Sequence, residues 1–270
     1  MIPDPEKVRV WEARAPAYDR LCRRWEVFSQ LSNRLIDLLP ADLHGPVLDI
    51  GAGSGLTSEL LLARHPDCEA ILIEPSEAML AIARRHLAGR RAQFFGTGLD
   101  AAPVRDLHAV AAVASASMQF LEFDPAFGRL AEAIPPGGYV AFNLWWHHWE
   151  ETADIKWTVW EAIARDACLG AGLPPPDPPA AGPPKAKTRV ELTNATSRHG
   201  FELVFKHRDE DSSPVSYGVD FAAMDTHWPL KGIGPETRQA LLTKMHELAQ
   251  GRFDTLVSTR FLFRKTDDRR

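Results

Sequence analysis

Cysteine is scarce in this chain: Cys22, Cys68 and Cys168 are the only three in 270 residues. Their odd number and wide spacing exclude a disulfide framework, and no Cys-x-x-Cys or Cys/His spacing offers a zinc site, so no metal is expected. Long hydrophobic runs are also missing. None approaches the roughly 20 apolar residues that a membrane helix needs, so no membrane association is expected. The opening Met1-Ile2-Pro3-Asp4-Pro5-Glu6 lacks a basic stretch followed by an apolar one, which makes a cytoplasmic protein without a secretory leader the expectation. Positive charge is not in excess, since 31 Lys and Arg face 36 Asp and Glu for a formal net charge of -5. That balance argues against a nucleic-acid partner. The pairs Arg84-Arg85 and Arg90-Arg91 read as solvated helix ends, where cations suit the helix dipole.

What is present is ordinary globular material, 45% hydrophobic and 25% charged. Residues 4–20 and 24–39 read as helices, the second with Trp25, Phe28, Leu31, Leu35 and Leu38 on one stripe. Val47-Leu48-Asp49-Ile50 is a short strand running into Gly51-Ala52-Gly53-Ser54-Gly55, and a helix over 56–65 is stopped by Pro66. Residues 70–74 form a second strand, and Ser76 caps a helix with Met79, Ile82, Ala83 and Leu87 on one face. Further strands are expected at 93–95, 109–114 and 139–145, with a helix around 127–134. Strands alternating with helices imply crossover connections and an α/β fold, a mostly parallel sheet with helices on both faces.

After Trp145 the rhythm changes. A Trp-rich helix spans 151–170, a proline run begins at Pro174, and strands six and seven fall at 201–206 and 254–264. Between those strands, 214–250 reads as mostly helical. The expected organisation is an N-terminal helical cap segment (1–45), a core (46–213 and 251–270) and a helical cap insertion (214–250).

The glycine turn carries the chemistry. A parallel sheet binds ligands beyond the carboxyl ends of its strands, and glycine there lets backbone amides approach a ligand that a side chain would block. Such a turn serves NAD, a nucleotide phosphate or S-adenosyl-L-methionine. Gly51 and Gly53 fit the dinucleotide pattern, but Leu56 stands where its last glycine or alanine belongs, and the Gly-Lys-Ser/Thr of a phosphate loop is absent. Asp49 would repel a pyrophosphate and instead suits the cationic ammonium of a methionine moiety. Glu74, closing the next apolar strand, is placed to accept hydrogen bonds from two ribose hydroxyls.

With these residues the sequence resembles the class I S-adenosylmethionine-dependent methyltransferases. The matching segments are Val47 to Gly55, Ile73-Glu74-Pro75-Ser76-Glu77-Ala78-Met79-Leu80, Ala116-Ser117-Met118-Gln119-Phe120-Leu121 and Pro136-Gly137-Gly138. The match covers about residues 45–146, and the cap between strands six and seven is similar to the branch with trans-aconitate and ubiquinone-type enzymes. The resemblance implies a Rossmann-like seven-stranded sheet and S-adenosyl-L-methionine as cofactor. It places Asp49, Gly51, Ala52 and Gly53 at the methionine end, and Glu74 with Pro75 at the ribose. Ser76 and Met79 would flank the adenine. Thr97, Gly98 and Leu99 stand where the family has Gly-Asp-Ala near the adenine amine, with Thr97 replacing the acid. Ala114 and Ser115 would line the methyl-donor region, and Tyr18 would close over the cofactor.

The acceptor side is less defined. His147 and His148, just past strand five, are candidate general bases, because a histidine titrates near neutral pH. Gln119 is a candidate for orienting the acceptor. Met118, Trp145, Trp146, His227 and Trp228 are candidate acceptor contacts; the tryptophans form either an aromatic pocket or the seat of the cap. A cap of this size would enclose a small-molecule acceptor, with O-methylation in a biosynthetic or tailoring pathway the favoured reaction. The alternative is an enzyme that binds the cofactor without methyl transfer, such as a cyclase using the sulfonium charge. A protein or nucleic-acid methyltransferase and an NAD-dependent oxidoreductase stand further off. Assembly as a homodimer is left open.

Overall fold

The computed structural model describes residues 5–145, 148–152, 158–174, 186–224, 230 and 232–267. The proposed contacts Trp146, His147, His227 and Trp228 lie outside these residues.

Seven strands form one sheet: β1 (Gly45–Ile50), β2 (Cys68–Ile73), β3 (Ala92–Phe95), β4 (Ala111–Ala114), β5 (Tyr139–Trp145), β6 (Phe201–Pro214) and β7 (Phe253–Lys265). Their order is β3-β2-β1-β4-β5-β7-β6. The first five are parallel, and β7 runs antiparallel between β5 and β6. The chain reverses direction across the sheet at β1 and β4, so the loops leaving these strands diverge and open a crevice beyond their carboxyl ends. β1 and β4 are apolar because both of their faces are covered.

One face carries α5 (Phe123–Ala133) and α7 (Arg189–Arg198). Its core is aromatic: Phe142 stacks on Phe261 at 5.0 Å and on Phe263 at 5.9 Å, with Phe127 edge-on at 6.3 Å. Burying each such ring contributes about 2 kcal/mol. The other face packs Leu35 and Ile36 of α2 (Glu26–Ile36), Leu61 of α3 (Leu56–Arg64) and Leu80 of α4 (Glu77–His86) over Val47, Leu72 and Val113. α1 (Pro5–Arg24) lies along α4.

A separate apolar cluster joins α6 (Thr158–Gly170), α8 (Val215–Ala222) and α9 (Pro235–Ala249) through Trp160, Ile163, Val215, Val219, Leu241 and Met245. α6 is tied to the start of β7, where Asp254 Oδ2 accepts from the amides of Val159 at 3.0 Å and Trp160 at 3.3 Å. An acid at a helix N-terminus suits both the free amides and the dipole. No described helix is long and apolar enough to cross a membrane.

Several elements differ from the sequence expectation, the first helix running on to Arg24 rather than 20. The second helix ends at Ile36 rather than 39, and its last carbonyls are met by the amides of Asp37, Leu38 and Leu39 in a tightening turn. β6 continues to Pro214 instead of stopping near Lys206, because β7 offers partners all the way to Phe253. α7 is an additional helix, started by Thr188 and Glu191 in a reciprocal capping box.

Candidate functional site

The crevice is built first from the turn after β1. Gly51 has φ +65° and Gly53 φ +54°, the left-handed region that favours glycine. A Cβ at Gly51 would fall 2.6 Å from Ser117 Cβ, so the loops after β1 and β4 touch only because that atom is missing. The Ser117 hydroxyl locks the contact by donating to the Ile50 carbonyl. Below the turn, Asp49 is 1% exposed and accepts from the Ser58 hydroxyl of α3 at 2.7 Å. Burial pushes its carboxyl up to about 7, with the negative charge of Glu74 adding to the rise and Ser58 opposing it.

Glu74 follows β2. Its Oε2 accepts from the Gly53 amide at 3.0 Å and its Oε1 from the Ser76 amide at 2.9 Å, so one carboxylate joins the two turns. Burial raises its pKa above the ordinary value, and the two amides hold the rise back. Ser76 is buried and caps α4 by accepting from the Met79 amide at 3.2 Å. Pro75 stands between these two residues.

α1 closes the crevice from above. Ala15 packs with Met79 and Ile82 of α4. Glu12 Oε2 accepts from the Ala78 amide at 3.1 Å. Tyr18 comes within 3.9 Å of the position of a Gly53 Cβ and meets Trp11 edge-on at 5.2 Å. Desolvation lifts the Tyr18 phenol well above its ordinary range, so it serves as an apolar wall with a protonated hydroxyl.

The segment after β4 completes the site. Ala116 holds φ +54°, a strained value for a residue with a side chain, fixed by its amide donating to Asn143 Oδ1 at 2.6 Å. Gln119 Nε2 donates to the Ala116 carbonyl at 2.7 Å, whereas Gln119 Oε1 is buried with no partner. Ser115 Oγ accepts from Ser32 of α2 at 3.3 Å. Phe120 is 53% exposed and spans the mouth, with its ring 6.4 Å from Trp11 and 6.0 Å from His148. On the far side Trp145 packs against a cluster of Leu21, Phe28, Tyr217, Met224 and Leu256.

The structure therefore brings Tyr18, Asp49, Gly51, Gly53, Glu74, Ser76 and Met79 around one crevice, with Ala52, Pro75 and Ser115 in its loops and Ala114 at the end of β4. Two assignments change. Met118 is 0% exposed and Leu99 4%, both in the core beneath β4, so neither side chain faces a ligand. Their apolar chains turn inward from short loops, which leaves only backbone to the site. Thr97 and Gly98 lie in the loop after β3, where the Thr97 amide donates to the Phe95 carbonyl at 2.9 Å. His148 stands at the mouth, and its carbonyl accepts from the Lys187 amide at 2.8 Å.

Sequence reasoning missed Trp11, Glu12 and Asn143. Asn143 carried a signal, a polar residue in the middle of an apolar strand. Among the described residues no three His, Cys, Asp or Glu side chains gather as a metal site requires.

Residues 47–138 match the family described as methyltransferase domain. The chain is 34% identical over 112 residues to a trans-aconitate 2-methyltransferase of Methylobacterium nodulans, covering 41% of this chain and 42% of that one. It is 25% identical over 125 residues to a malonyl-acyl-carrier protein O-methyltransferase of Acetivibrio thermocellus, covering 45% of this chain and 44% of that one. The chain thus spans less than half the length of these curated relatives. Among solved structures, the 4+2 cyclase SpnF superposes with a TM-score of 0.59 at 17% identity, covering 96% of this chain and 94% of that chain. At that identity the likeness concerns the fold.

Proposed function

We propose that this chain, whose residues 47–138 carry a methyltransferase domain, transfers a methyl group from S-adenosyl-L-methionine to a small-molecule acceptor. The observation that carries the reading is the pair of buried acids at the switch point, Asp49 and Glu74, set around a glycine turn. Two acids in this place suit a ligand with an ammonium group at one end and a ribose at the other, and repel a pyrophosphate. When bound, the cofactor supplies a methyl group already activated by a positive sulfur.

The work left to the chain is positioning and exclusion of water. Glu74 would receive the ribose, Asp49 and the turn amides the methionine end, and Met79 with Ser76 would border the adenine. Tyr18 and Trp11 would shut the crevice. Gln119, with its unpaired buried oxygen, would orient the acceptor. O-methylation is the favoured chemistry: His148 stands at the mouth as a base for a hydroxyl acceptor, and one matched relative is an O-methyltransferase. A small-molecule acceptor suits a biosynthetic or tailoring role.

The second reading, a cyclase-type use of the bound cofactor, is favoured by the SpnF likeness over nearly the whole chain. Calorimetry with S-adenosylhomocysteine, and with NADH in parallel, tests the common ground. Binding of the first alone is expected, weakened at least tenfold in Glu74→Ala and in Asp49→Ala. Binding of NADH instead would overturn the assignment. Release of S-adenosylhomocysteine during turnover of an acceptor then separates transfer from cyclisation.

A further inference from the structure

β6 is the last strand of the sheet, 14 residues long, and among the described residues no strand lies beyond it. Such an edge presents a row of free backbone donors and acceptors, which chains commonly blunt with lysines, prolines or bulges. β6 is bulged only near its start, between Leu203 and Phe205, and from there it pairs with β7 without a break to Pro214. Its exposed side chains carry both signs. Arg208 and Glu210 are 48% and 54% exposed on one face, and His207 is 55% exposed on the other.

Which backbone groups are free follows from the two ends of the β6–β7 ladder. The Thr266 amide donates to the Gly200 carbonyl, and the Val215 amide to the Arg252 carbonyl. In an antiparallel pair alternate residues turn their main-chain groups to the partner strand. Stepping in twos from Val215, residues 213, 211, 209 and 207 face β7, and stepping from Gly200 across the bulge reaches the same set. Lys206, Arg208, Glu210 and Ser212 therefore turn both N–H and C=O outward.

A second copy laid antiparallel along this edge meets it about a two-fold axis, where each contact occurs twice. With the axis at Asp209, Arg208 faces Glu210, His207 faces Asp211 and Lys206 faces Ser212. The outward groups of 206, 208, 210 and 212 then close on one another as hydrogen-bonded pairs. Arg208 and Glu210 stand 2.6 Å apart along one chain, and each gains an opposite charge directly across. Asp209 faces its own copy, but each is already held by its own Arg260 at 2.8 Å and Arg34 at 3.6 Å. An axis at Arg208 or at Glu210 would instead set arginine against arginine or glutamate against glutamate. Val204, 54% exposed, comes level with Pro214 of the other copy.

We infer that the β6 edge is the surface on which two copies of this chain join, one sheet continuing into the other in the register centred on Asp209. The order of charge along the strand selects a second copy as the partner, because it is complementary to itself when reversed.

Sedimentation of the full chain is expected to give a mass twice that of one chain. Arg208→Glu sets like charges opposite at both symmetry-related sites and should weaken the dimer by about tenfold or more. Glu210→Arg should do the same, and the two combined restore opposite charges across the axis and should restore the dimer. Ser212→Pro removes an outward donor that β7 does not use and should also weaken the dimer, with no change of charge. Denaturation midpoints should stay with that of the unmodified chain, since none of these changes touches the β7 side. A monomer overturns the pairing, whether the edge then takes another protein or none. So does a dimer unmoved by either reversal, or one that the combined exchange fails to restore.

Discussion

β1, β2 and β3 are six, six and four residues long and parallel, with Asp49 near the end of β1 and Gly53 and Glu74 in the turns after β1 and β2. β7 and β6 are 13 and 14 residues long and antiparallel, and β6 carries charge on both faces. There Arg34 of α2 meets Asp211 through two contacts of 2.6 Å, and Asp209 lies 2.8 Å from Arg260 and 3.6 Å from Arg34. In the near half Asp49 and Glu74 meet only a hydroxyl and backbone amides, whereas the far half neutralises its charge internally.

The largest expected effect comes from breaking the far half. Asp209→Ala strands Arg260, which is 18% exposed, and should cost about 3 kcal/mol of stability. Chemical denaturation would measure this, while the affinity for S-adenosylhomocysteine should stay within about twofold because no ligand contact is touched. A large loss of affinity would mean the halves are coupled.

Breaking the near half should invert that pattern. Gly51→Ala places a Cβ 2.6 Å from Ser117 Cβ at a left-handed φ. The backbone penalty alone is about 1–2 kcal/mol. The loops after β1 and β4 must part, so binding of S-adenosylhomocysteine should fall by more than tenfold, read by calorimetry beside the denaturation midpoint.

The smallest effect is in pH. The Asp49 carboxyl of the free protein, lifted by burial to about 7, is protonated below that pH. A cationic ammonium favours its ionised form, so binding releases a proton on the acid side of neutrality. Affinity for S-adenosylhomocysteine should climb with pH up to about 7, by at most about tenfold per unit, and level off above it. The free protein should show the opposite trend, losing stability as pH rises from about 4 toward 7, since a raised carboxyl favours folding only while protonated. Calorimetry and denaturation from pH 5 to 8 would follow both, and Asp49→Asn should flatten both curves.

This contrast also explains what could be read from the chain. The cofactor half is local: its strands are short apolar runs, its turn is marked by glycine, and its two acids interrupt apolar segments where solvent exposure was not the reason. The far half is not. Residues 207–212 of β6 are His-Arg-Asp-Glu-Asp-Ser, with no apolar alternation, and become strand only through pairing with β7. α7 has little amphipathic pattern, although Thr188 and Glu191 at their three-residue spacing were a usable start signal. The mouth of the crevice joins residues 11–18, 116–120, 145, 148 and 217, and sequence shows the helix or strand most of them belong to without showing which faces meet. Met118 was misjudged for that reason: its motif position was visible, but its direction into the core was not.

Glu74 carries a consequence that can be reached by counting. An ionised carboxylate has about four lone-pair directions for hydrogen bonds. The Gly53 and Ser76 amides take one on each oxygen. Two directions remain, one per oxygen, and a vicinal diol has two hydroxyls to offer. A ligand with only one of them would leave a buried anion short of a partner, so under the proposed ribose contact Glu74 would favour a ribose over a deoxyribose by arithmetic alone, with no side chain needed to reject the wrong sugar.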